Sequence, residues 1–189
     1  MKIQSLFVGI ALAALIPLSA SAAALTYDVN RTIGVGGVGS VVGTVTTDGT
    51  IGVLNMSNVT GWTLTIDDGG GSGPFLLMGG VNSNLLVQGS ALSADADSLD
   101  FDFSVFGLAL FQSPFIGSGE NWWCVEGAAS NCAGSGQGET VNRFGAATFS
   151  FYNTTQAIGT RNNGTIPEPM SLALVGLALT GLAVSRRRA

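Results

Sequence analysis

Residues 166–189 set the first limit on what this chain can fold into. The run 170–184 carries no charge and is followed by Ser185, Arg186, Arg187 and Arg188. As a helix the run would rise about 1.5 Å per residue, or about 22 Å in all. A bilayer core is about 30 Å thick. Ser185 and arginine side chains that snorkel toward the headgroups make up part of the difference. A short membrane helix over 170–185 is therefore expected, with the arginine cluster as a membrane stop on the cytoplasmic side. Pro167 and Pro169 lack a backbone N–H and restrict the residues before them, so no helix continues upstream. Residues 167–189 thus stand apart from any globular fold.

The other end agrees. Lys2 precedes an apolar stretch over residues 6–18, and small residues follow over 19–24. This is the pattern of a secretory signal peptide, with A-x-A sites ending at Ala22 or Ala24. The first is preferred, giving a signal peptide over 1–22. The expected topology places the N-terminus outside and the C-terminal arginines inside. One exported domain is left over 23–160, joined by a polar linker at 161–166 that keeps the following motif accessible.

Pro167-Glu168-Pro169, an apolar stretch containing Gly176 and Gly181, and a terminal arginine cluster occur here in that order. Together they resemble the PEP-CTERM sorting signal of Gram-negative bacteria that make extracellular polysaccharide. Ile166 stands where valine is commoner in that signal, and Met170 where a small residue is commoner. The resemblance implies recognition by an exosortase-type membrane protease, cleavage near Pro-Glu-Pro, and release to the cell surface or beyond. The membrane span would then be a temporary anchor. Residues 43–66 also look like a block found in other proteins with this tail, which implies a family of secreted domains and no chemistry.

The middle of the chain excludes several function classes. Residues 25–165 hold three arginines against eleven acids, a formal charge of −8, with no lysine and no histidine. Such a surface repels phosphate backbones, so nucleic acid is not an expected partner. Without histidine there is no Ser-His-Asp or Cys-His site within the chain. Cys124 and Cys132, eight positions apart in an oxidising compartment, are expected to form a disulfide. Two sulfurs without histidine make a poor zinc site.

Glycine-rich turns separate short runs of β-branched and aromatic residues, and no helical stripe is evident. Residues 41–46 read as a strand, with Asp48-Gly49 turning the chain into 51–54. Trp62, Leu64 and Ile66 alternate with Thr63 and Thr65, and Leu99, Phe101, Phe103 and Val105 alternate with Asp100, Asp102 and Ser104. Shorter strands are expected at 75–78, 85–88 and 147–152. Residues 67–74, with glycines, a serine and a proline, read as a loop. The expected class is all-β, an antiparallel β-sandwich of jelly-roll-like form.

Candidate chemistry is sparse. Asp95, Asp97, Asp100 and Asp102 form the densest acidic cluster, and Asp95 and Asp97 are weak calcium candidates. Their spacing lacks the calcium-loop pattern, and the plainer reading is a wet strand face preceded by a turn. Glu120, Glu126 and Glu139 fall in a glycine-rich, loop-like stretch and would serve a glycosidase only if two converged. Residues 34–39 are glycine-rich but lack the Lys-Ser/Thr of a phosphate loop, and read as a turn or strand edge. Trp122 and Trp123 offer aromatic planes for a sugar ring, although tryptophan beside a disulfide more often packs as an anchor. The expected function is a non-enzymatic surface or matrix protein associated with extracellular polysaccharide, needing no cofactor. The alternative is an extracellular carbohydrate- or calcium-binding module.

Overall fold

A computed structural model of the chain describes residues 23–130 and 136–162. Among them, thirteen strands form two sheets, and every ladder between strands is antiparallel. The class is all-β, consistent with a β-sandwich. The first sheet draws on β1 (Leu25–Ile33), β2 (Gly39–Thr47), β3 (Gly52–Val53), β4 (Val59–Asp67), β5 (Phe75–Met78), β7 (Leu92–Ala94), β8 (Ser98–Asp102) and β13 (Thr155–Arg161). Its order is β3-β7-β8-β13-β1-β2-β4-β5. The second sheet holds β6 (Asn84–Gly89), β9 (Gly107–Ser113), β10 (Asn121–Glu126), β11 (Gly138–Arg143) and β12 (Ala146–Phe151), in the order β12-β11-β10-β9-β6.

Alternating side chains explain the first sheet. Tyr27, Val29 and Ile33 of β1, Val41 and Val45 of β2, and Leu64 and Ile66 of β4 all enter one buried core. Their polar neighbours face the other way, as the two-residue period of a strand requires. Leu99 and Phe101 of β8 point inward while Asp100 and Asp102 remain half-buried on the opposite face. Gly43, at φ 152° within β2, lies where a Cβ would strike the Thr63 carbonyl of β4. Glycine is what lets these two strands pair at that point.

Several boundaries differ from the sequence expectation. The strand expected to run to Val105 ends at Asp102. Phe103 is still buried just beyond it, but Val105 is exposed in the turn that follows. The Asp48-Gly49 turn does not make a hairpin with the next strand. β3 pairs with β7, and β2 skips across to β4. Asp48 Oδ1 accepts from Thr50 N at 2.9 Å, and Asn58 Nδ2 donates to Asp48 Oδ2 at 3.0 Å, so this excursion is closed on itself. The ordered chain extends past residue 160. Arg161 N donates to Asp97 O at 2.7 Å, and Asn162 N to Thr26 O at 2.8 Å. The glycine-rich residues 34–39 include the β1–β2 turn, in agreement with their reading as a turn or strand edge.

Candidate functional site

Pro167, Glu168, Pro169, Arg186, Arg187 and Arg188 lie outside the described residues, as do Cys132 and the signal-peptide segment. Among the described residues no helix is long and apolar enough to cross a membrane. The remaining candidates fall on the second sheet and on the turn before β8.

Residues 120–139 were expected to be loop-like, yet β10 and β11 come from this stretch. Every residue of both strands is buried, so neither shows the polar alternation of a strand with one wet face. Successive residues still point to opposite sides, and this separates the two tryptophans. Trp123 is fully buried in the core and stacks on Phe111, with ring centroids 5.3 Å apart and planes 15° from parallel. It cannot contact a sugar, which corrects the expectation for that residue. Trp122 is on the other face, only 8% exposed.

Around Trp122 the outer face of the second sheet forms a groove of about 610 Å³. Leu108, Leu110, Gln112, Trp122 and Asn142 contribute to its floor, and loop residues Ile116, Gly117 and Gly119 contribute to its wall. The register places Gln112, Trp122 and Asn142 directly across from one another on β9, β10 and β11. Gln112 Oε1 accepts from Gly117 N at 2.6 Å, and Asn142 Oδ1 accepts from Gly145 N at 3.1 Å. A backbone N–H can bond only the amide oxygen, so both side-chain orientations are fixed. Sequence reasoning missed Gln112 and Asn142, because isolated amides in strands carry no signal until the strand register is known.

Cys124 lies one position beyond Trp123, buried on the same face as Trp122, and is disulfide-bonded. Its sequence partner Cys132 lies outside the described residues. Closing so short a loop contributes about 2–3 kcal/mol by the chain-entropy argument. A Cys124→Ser, Cys132→Ser double variant should therefore unfold at lower urea than the wild type, with its unfolding free energy reduced by that amount. Equal midpoints under oxidising conditions would count against the bond as a stabilising element.

The carboxylates do not assemble a catalytic pair. Glu139 is opposite Val125 and faces the core, whereas Glu126, the next residue along β10, faces the other side. Glu120 is exposed in the preceding loop. Glu139 is engaged by Arg31 of β1, whose Nε and Nη2 both reach Oε1, at 2.8 and 2.5 Å.

Asp95 is occupied structurally. Its Oδ1 accepts from Asp97 N at 2.7 Å and Ser98 N at 2.6 Å, and these backbone bonds hold its carboxyl below the usual range. The turn is pinned further by Tyr27 Oη, which donates to Asp95 O at 2.8 Å. Asp97 is exposed, and its carbonyl is taken by Arg161 N. Among the described residues no group of three or more His, Cys, Asp or Glu side chains gathers to hold a metal ion.

In comparisons with known proteins, the chain matches no family model, no curated protein and no solved structure.

Proposed function

We propose that the chain is an exported, non-enzymatic surface or matrix protein, sorted outward by an exosortase-type protease and associated with extracellular polysaccharide. One observation carries this reading: the ordered series of Pro167-Glu168-Pro169, apolar run and Arg186–Arg188, paired with a signal-peptide pattern at the other end. On this reading the protein passes through the inner membrane with its C-terminus in the cytoplasm. Cleavage near Pro-Glu-Pro then frees the domain. The chain crosses between the two sheets several times, with β13 leaving β12 to insert between β8 and β1, and this supports a jelly-roll-like sandwich.

Intact-mass analysis of protein recovered from outside the producing cells tests the sorting. The expected product begins near Ala23 and ends near Pro-Glu-Pro, without Arg186 to Arg188. Full-length protein retained in the inner membrane would overturn it and leave a plain anchor.

The second reading, a carbohydrate-binding module, is favoured by the Trp122 groove. It keeps the same destination and gives the domain a ligand. The calcium arm of that reading has no comparable support, since Asp95 is used in its own turn.

A further inference from the structure

We propose that the groove on the outer face of the second sheet is a subsite for a neutral saccharide, held between the amides of Gln112 and Asn142 over Trp122. This inference deepens the glycan-associated reading and rests on it.

The lining selects the ligand class. Among the described residues no charged side chain lines the groove, so none of them compensates a phosphate, sulfate or carboxylate. The domain's formal charge of −8 over residues 25–165 repels anionic polymers as a whole. A purely apolar ligand fits no better. With both amide oxygens tied to Gly117 and Gly145, the two amide nitrogens have no acceptor among the described residues. Covering them with hydrocarbon would leave polar donors desolvated and unpaired, which disfavours such a ligand.

A sugar ring meets both demands. Its hydroxyl oxygens accept from the NH2 groups, while its C–H face lies against Trp122, Leu108 and Leu110. Gln112 and Asn142 stand two strands apart, about 9–10 Å at the usual strand spacing. That span leaves room for one ring with a hydroxyl directed to each side. Gly117 and Gly119 adopt φ 89° and 74° in the loop wall, and a Cβ at either would meet nothing within 4 Å, so the mouth is open there. The volume of about 610 Å³ lies in the ordinary range of small-ligand sites.

The test uses the exported protein on an array of neutral hexose and N-acetylhexosamine oligomers beside uronic-acid oligomers. Co-sedimentation with exopolysaccharide purified from the producing cells runs alongside. Gln112→Glu and Asn142→Asp keep the oxygen that bonds the loop backbone and remove the NH2 donor. Thermal melts verify that each variant folds, and Gln88→Ala, at an exposed position lining the groove, should also weaken binding without disturbing buried groups. Binding to neutral oligomers alone is expected, little changed by salt and weakened about tenfold or more in the donor-deleted variants. Folded variants that bind as the wild type does, or an array that shows no neutral ligand, overturn the subsite. If the protein still co-sediments in either case, glycan association survives its loss. If it does not, both fail.

Discussion

Trp123→Ala should lower the stability of the domain by about 3–5 kcal/mol, the range for truncating a fully buried large aromatic side chain. Trp123 lies stacked on Phe111, and Phe111 in turn meets the edge of Trp62 with centroids 5.6 Å apart and planes at 72°. Trp62 belongs to β4 of the first sheet, Phe111 and Trp123 to β9 and β10 of the second. The three rings therefore tie the sheets together. Trp62 is fixed at its polar end by an indole N–H that donates to Ser83 Oγ at 2.6 Å. Removing the Trp123 ring leaves Phe111 without its stacking partner and opens a cavity in close-packed surroundings. In a domain of this size the melting temperature should fall by about 10 °C or more. Trp123→Phe keeps a ring against Phe111, so it should cost clearly less, although it also deletes the indole N–H that acts on the buried Glu139 carboxyl. A loss below about 1 kcal/mol for Trp123→Ala would contradict its placement in the core.

The same residues show what the sequence could reveal. Strands β4 and β8 were legible because one face of each is apolar and the other polar, as in Trp62-Thr63-Leu64-Thr65-Ile66. β5 was recovered at its full extent, and β6 to within a residue at each end. β10 was not, because Trp122, Cys124 and Glu126 are buried along with Trp123 and Val125, and the two-residue period disappears. β1 was obscured differently. Tyr27, Val29 and Ile33 alternate inward, but Arg31 occupies the inward position between them. β11 carries the complementary interruption at Glu139. Each looks like a solvent-facing residue until the two strands are brought together across the core. The groove was half legible: Trp122 was singled out for its chemistry, while its flanking amides become a set only through cross-strand register.

Replacing Glu139 should be strongly destabilising. Its side chain is fully buried, whereas that of Arg31 is 17% exposed. Breaking a buried pair by removing one partner costs about 3–5 kcal/mol, and the partial exposure of Arg31 argues for the lower end. After Glu139→Ala, the guanidinium keeps the Ala157 carbonyl at 2.9 Å and the Tyr152 ring at 5.5 Å, but no carboxylate. The pH dependence is more discriminating. Burial is the largest influence on the Glu139 carboxyl and raises its pKa, while Arg31 opposes that rise. A carboxyl whose folded pKa lies above its unfolded value takes up its proton first in the folded state. Its contribution is therefore fully present below the ordinary value of 4.5 and is lost as pH rises through the raised folded value. Asp48, Asp95 and Asp102 behave oppositely. Their carboxyls are held low by hydrogen bonds, so their contribution is present above the ordinary 3.8 and lost on acidification through the folded values. These three are common to wild type and Glu139→Gln, and cancel when the two are compared. Urea unfolding at intervals from pH 4 to pH 8 should thus show the stability advantage of wild type over Glu139→Gln largest at pH 4 and shrinking as pH rises. An advantage that instead grows with pH would mean that attraction to Arg31 outweighs burial, and that the pair holds the sheets together as ions.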